Sequence, residues 1–144
     1  MLVSMNVYPL KGLGKIRFGD SRETVEAHFG LPDDISNKNC GAELSSEIWR
    51  YIDLGLDLYF KSDSGFKLWS ILSSSEQVNF KGAKPIGMSD QELKQAFSGL
   101  KLDIHDGEFK EYSYPRSGIV FFLKGNIVKR IDIDPINEGF LDKH

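Results

Sequence analysis

The chain has 144 residues, 21 acidic against 18 Lys and Arg, a net charge of −3 and 40% AVILMFWYC, proportions that suit one domain over 1–144. No run approaches the roughly 18 apolar residues of a membrane helix, and the start, Met1-Leu-Val-Ser-Met-Asn, has neither a basic nor a long apolar segment, so a soluble, unexported chain is expected. A lone cysteine, Cys40, excludes an internal disulfide and predicts a cytoplasmic location, while the mild charge argues against nucleic acid as a partner.

In chain order, Gly12-Leu-Gly14-Lys15 superficially suggests a phosphate loop, but the Gly-Lys-Ser/Thr ending is missing. A helix is predicted next. Phe18-Gly-Asp-Ser-Arg-Glu-Thr-Val-Glu-Ala-His-Phe29 lies over Ile86-Gly-Met-Ser-Asp-Gln-Glu-Leu-Lys-Gln-Ala-Phe97 at an offset of 68. In each, a glycine marks a sharp turn, and Asp20 or Ser21, and Ser89, can cap a first turn. Asp20 with Glu23, and Ser89 with Glu92, have capping-box spacing. Val25 and Phe29, like Leu93 and Phe97, form one apolar stripe, and Gly30 and Gly99 are the expected stops.

Strands follow. Glu47 to Tyr51 is an aromatic run, and in Leu54 to Phe60 leucines and Phe60 alternate with Gly55, Asp57 and Tyr59, a period of two that buries one face. Lys67 to Ser73 comes next. The second half repeats this with Phe109 to Tyr114, Ile119 to Leu123 and Ile127 to Ile133. Trp49–Phe60 matches Tyr112–Leu123 at an offset of 63, and Leu68-Trp-Ser-Ile71 matches Val128-Lys-Arg-Ile131 at 60. The intervening loops, such as Ser62-Asp-Ser-Gly65 and Pro115-Arg-Ser-Gly118, have hairpin chemistry. The expectation is an α+β fold of two tandem units, about 12–75 and 80–134, each a helix plus a three-stranded antiparallel meander. The units share one continuous sheet with both helices on one face, leaving the other face open.

The pattern Gly-(Asp/Met)-Ser-x-x-x-(Val/Leu)-x-x-x-Phe followed by an aromatic strand and Gly-Leu-x-Leu-x-Phe resembles the repeat of the β-lactamase inhibitory protein fold, and one copy resembles the SmpA/BamE outer-membrane-assembly lipoproteins. The chain has no lipobox cysteine near its start and lacks the inhibitor's paired cysteines, so no binding residue carries over by position. The resemblance implies an exposed sheet face that holds another protein. Pro9-Leu-Lys-Gly-Leu-Gly-Lys-Ile-Arg-Phe-Gly19 also looks like immunity proteins, which implies a toxin domain, encoded nearby, as partner.

Catalytic groups do not converge. His28 falls on the first helix, His105 in the solvated loop expected at Asp103-Ile-His-Asp106, and His144 at the end; one imidazole is no ligand set. Cys40 has no electropositive setting in the sequence. The expectation is therefore no enzyme, no metal, no cofactor and no membrane partner. Tyr59 and Phe122 fall opposite the buried rows, and Trp49, Tyr51, Tyr112 and Tyr114 lie on adjoining strands. These aromatics either anchor an interface or cover the second side of a twisted sheet. Eight carboxylates between Asp103 and Asp142, against five cations, form either an ordinary solvated surface or a steering field for a basic partner. The candidate protein-binding set is Trp49, Tyr51, Asp57, Tyr59, Tyr112, Tyr114, Phe122, Arg130 and Asp132. A structural or assembly docking module is the alternative function, ahead of a small-ligand carrier.

Overall fold

The computed structural model describes residues 4–39 and 45–135. The chain starts with a small antiparallel sheet of two-residue strands, β1 (Val7–Tyr8), β2 (Gly12–Leu13) and β3 (Ile16–Arg17). Val7, Leu13 and Ile16 point into the core, while the Arg17 guanidinium lies 4.8 Å from the centre of the Tyr8 ring.

Helix α1 (Arg22–Phe29) is capped by Ser21, whose Oγ accepts from the Thr24 amide at 3.1 Å. Asp20 instead accepts from the Arg17 amide at 2.7 Å, so the cap falls one residue later than the Asp20–Glu23 spacing suggests. Four strands follow: β4 (Asp34–Asn39), β5 (Ser45–Tyr51), β6 (Leu56–Lys61) and β7 (Lys67–Ser73). Helix α2 (Asp90–Ala96) has the full Ser89–Glu92 capping box and closes at Phe97 rather than Gly99. Four more strands follow: β8 (Lys101–Asp106), β9 (Phe109–Tyr114), β10 (Ile119–Lys124) and β11 (Ile127–Ile133).

The expected α+β pair of helix plus three-stranded units is thus corrected. The chain is mostly β, each helix precedes four strands, and the second sheet was not foreseen. The eight strands form one antiparallel sheet in the order β4-β5-β6-β7-β11-β10-β9-β8. Pairing of Ile71 with Ile133, Leu72 with Asp132 and Ser73 with Ile131 joins its halves. The extra strands β4 and β8 are the sheet edges and are polar and almost wholly exposed. Their backbones pair with an already formed neighbour, so they need little apolar surface of their own. His105, expected in a loop, lies on β8 opposite Lys110.

One face of the sheet carries the core. Leu58, Phe60, Ile71, Ile131, Phe121 and Leu123 point inward and pack with Val25 of α1, Leu93 of α2 and Leu13 and Ile16 of the small sheet. Phe80, Phe97 and Phe121 stack in series at 5.3 and 5.4 Å. Each such ring contributes about 2 kcal/mol on burial. Two tyrosines tie helices to this face. Tyr51 donates to the Gly30 carbonyl at 2.7 Å, and Tyr112 donates to Asp90 at 2.9 Å. Burial pushes the Asp90 carboxyl up, but hydrogen bonds from Lys110, Lys94 and Tyr112 prevail and hold it at about 2.

Candidate functional site

In an antiparallel pair, directly opposed residues share a face, so register sorts the candidate residues. Trp49 opposes Leu58, Tyr51 opposes Leu56, Tyr112 opposes Phe121 and Tyr114 opposes Ile119. All four lie on the core side. Trp49, Tyr51 and Tyr112 are each only 4% exposed, and Tyr114 packs half-buried against the core. Their candidacy as surface contacts is corrected: they hold the inner layer together. Asp57, Tyr59, Phe122, Arg130 and Asp132 share the opposite, outer face, where Asp57 and Asp132 flank Leu72 and Phe122 opposes Arg130. No outer-row residue belongs to the core cluster that the helices and small sheet cover. Cys40, Glu138, Asp142 and His144 lie outside the described residues.

Two β-bulges shape this face. Between β6 and β7 the register slips after Tyr59–Ser70, leaving Trp69 as the extra residue. The same slip after Phe122–Arg130 leaves Lys129 extra on β11. A bulge places two consecutive side chains on one side of the strand, and Trp69 accordingly meets outer-face groups. Its ring is 6.4 Å from Tyr59, edge to face, and the Lys61 ammonium is 5.2 Å from its centre. The indole N–H is buried and has no acceptor among the described residues, an arrangement that costs about 1–3 kcal/mol when left unmet. Trp69 was missed from sequence, although a signal was there. Leu68 to Ile71 and Val128 to Ile131 space inward hydrophobes by three within strands of period two.

Next to Trp69 the face turns acidic. Arg130 donates twice to Asp132, at 2.6 and 3.1 Å, and its guanidinium lies over the Phe122 ring at 4.9 Å. Phe122 stacks on Phe109 at 5.8 Å. Ser70 donates to Asp134 at 2.6 Å. On the far side Arg50 pairs with Asp57 at 3.1 Å and reaches Asp34 at 3.8 Å. A shallow cleft of about 300 Å³ lies between Arg50, Asp57, Leu72 and Arg130.

The carboxylates here are incompletely compensated. Burial pushes Asp132 up, against the pull of Arg130. Burial also raises Glu111, with Asp132 repelling it and Arg130 partly offsetting. Asp134 is pushed up to about 6 by burial, against the Ser70 hydrogen bond and with added repulsion from Asp132. Because the folded Asp134 holds its proton above its ordinary value of 3.8, the folded state binds more protons than the unfolded one between pH 4 and 6. Stability therefore falls as pH rises through that window, by on the order of 2 kcal/mol. Urea titrations should show that decline, and Asp134→Asn should flatten it and raise stability at pH 7. An unchanged slope in the variant would show that other groups set it.

Among the described residues no three His, Cys, Asp or Glu side chains are grouped as a metal site. His28 is half-buried on α1 and His105 is exposed. No described helix is long and apolar enough to cross a membrane.

No protein-family model matches the sequence, nor does any curated protein. Among solved structures the fold is similar to an extracellular protein containing an SCP domain from Bacillus anthracis str. Ames, with a TM-score of 0.54 and 16% identity. The match covers 86% of this chain and 45% of that one. A cysteine-rich secretory protein from Staphylococcus aureus subsp. aureus Mu50 gives a TM-score of 0.49 and 14% identity, over 86% of this chain and 44% of the other. The chain therefore spans less than half the length of either. The first likeness shows a shared fold, and it corrects three expectations. The resemblance to the β-lactamase inhibitory protein and SmpA/BamE folds gives way to this neighbour. The likeness of Pro9–Gly19 to immunity proteins gives way to it too. The cytoplasmic placement is dropped as well, because the protein sharing this fold is extracellular.

Proposed function

We propose that this protein is a non-enzymatic binding module that holds a protein partner against the outer face of its eight-stranded sheet. Tyr59, Trp69 and Phe122 serve as apolar anchors, and Asp132, Asp134 and Glu111 receive a basic side chain of the partner. The observation that carries this reading is Trp69, swung onto the face by a bulge and standing edge to face with Tyr59, beside carboxylates for which Arg130 is the compensating cation. A partner Lys or Arg would replace the water these carboxylates have lost. Aromatic anchors desolvate a large area at low rotamer cost, and opposite charge mainly speeds encounter and fixes register.

The area suffices. Eight strands about 4.8 Å apart and about 20 Å long present roughly 700 Å², close to the approximately 800 Å² that one side of a stable complex buries.

The experiment is affinity measurement on a partner isolated with the wild-type protein. Asp132→Lys and Trp69→Ala should each weaken the complex at least tenfold, while Leu102→Ala, on the opposite side of edge strand β8, leaves it unchanged. Zero-length coupling of carboxylates to amines should join Glu111 or Asp134 to a partner lysine. Retention of wild-type affinity by both Asp132→Lys and Tyr59→Ala would overturn the proposal.

A further inference from the structure

A second feature lies away from the outer face, where the β9–β10 turn meets the loop before β2 and the turn after Phe80. A cleft of about 440 Å³ opens there, lined by Pro9, Phe80, Lys81, Tyr114, Pro115 and Arg116 among others, a size within the range of small-molecule sites. Its aromatic surface is the half-buried Tyr114, backed by the fully buried Phe80, which it meets edge to face at 5.7 Å, and by Phe97, which contacts both. Among the described residues two cations line it and no carboxylate does.

The cations are held in an uncommon way. Lys81 has φ 54° and Arg116 φ 64°, left-handed conformations that side chains other than Gly and Asn adopt at a cost of about 1–2 kcal/mol. Among the described residues five non-glycine residues have this backbone, and two of them line this cleft, while a third, Leu10 with φ 64°, follows its lining residue Pro9. Strain of this kind gathers at binding sites. Glycine or asparagine would hold the same turns more easily, but without a charge.

Lys81 is fixed at the wall. Its ammonium lies 3.1 Å from the Tyr114 hydroxyl and 5.1 Å from the ring centre. Arg116 is exposed and has no hydrogen-bond or ion-pair partner among the described residues. The other arginines are all engaged: Arg17 by the Gly14 carbonyl, Arg22 by Glu47, Arg50 by Asp57 and Arg130 by Asp132.

We infer that this cleft binds an organic carboxylate with a planar apolar body, the body resting on Tyr114 between the two prolines and the carboxylate held by Arg116 and Lys81. Arg116 supplies the planar fork that matches a carboxylate, and Lys81 a point charge already in place. The carboxylate belongs either to a free small acid or to the C-terminal aromatic residue of a peptide.

Amide chemical shifts of the full chain, titrated with 3-phenylpropionate, N-acetyl-alanyl-phenylalanine and the uncharged 3-phenylpropionamide, test it. Both acids should shift residues around Phe80 and Tyr114, with the amide at least tenfold weaker, and the tighter acid identifies the source. Lys81→Asn and Arg116→Asn each remove a charge while tolerating the left-handed backbone. Thermal midpoints should therefore hold while acid binding falls about tenfold in each variant and is lost in the double variant. Equal binding of acid and amide, shifts confined to other regions, or full acid binding by the double variant would overturn the inference. None of these readouts depends on the outer-face partner.

Discussion

Phe121→Ala is expected to lower folding stability by about 4 kcal/mol. Phe121 is completely buried in the middle of β10, opposite Ile131 on one side and Tyr112 on the other. Its ring stacks on Phe97, which stacks on Phe80. Truncation removes the first member of that series and leaves a cavity between the sheet and the end of α2. The stiff strands and the capped helix close such a void only partly. Urea denaturation should show a midpoint about 2 M lower at a slope near 2 kcal/mol/M, and Phe121→Leu should cost less than half as much. The neighbour provides the control. Phe122→Ala, on the outer face, should cost about 1 kcal/mol, its losses being the Phe109 stack and the Arg130 contact. Equal costs at the two positions would mean that the faces of β10 are misassigned. Phe121→Ala should also loosen the cleft beside Tyr114, since Phe121 stacks on Phe97, which packs against both Phe80 and Tyr114.

Gly118→Ala is expected to cost about 3 kcal/mol through two additive causes. Its φ of 71° is left-handed, worth about 1–2 kcal/mol for alanine. The new methyl would also lie 2.2 Å from the Asp134 carbonyl oxygen and 3.2 Å from Leu10 Cδ2. Backbone must therefore move, and the backbone concerned is that of Asp134, whose amide donates to the Gly118 carbonyl at 2.9 Å. The end of the β10–β11 pairing would open and Ser70 would lose its hold on Asp134. Gly125→Ala isolates the first cause: φ there is 60°, with nothing within 4 Å of the added carbon, and about 1 kcal/mol is expected. Thermal midpoints of the two variants should differ accordingly. If they coincide, the close approach to Asp134 does not constrain the fold.

Much of the secondary structure was legible in local patterns. Leu56, Leu58 and Phe60, like Ile119, Phe121 and Leu123, alternate cleanly and lie inward as the period requires, and Ser89 with Glu92 announces α2. The edge strands were not legible. Asp-Ile-Ser-Asn-Lys-Asn and Lys-Leu-Asp-Ile-His-Asp bury almost nothing, so no periodicity marks them. Strands of two residues, as in the first sheet, are too short to show a period at all. At the candidate site, Tyr59, Asp57 and Asp132 could be placed from the alternation of their own strands. Trp49, Tyr51 and Tyr112 could not. Ile48 and Trp49 are both large and apolar, so the phase of β5 is ambiguous until its register with β6 is known.

The amino-acid order alone determined the two helices and the six inner strands of the large sheet, because side-chain periodicity and end-capping act over a few residues. Only the tertiary structure decided which aromatics face the core, how Ile71 meets Ile133 across some sixty residues of chain, and that two bulges carry Trp69 and Lys129 to the outer side. Those outcomes depend on how each strand registers with its neighbour, and a shift of one residue in that pairing reverses the face of every side chain that follows.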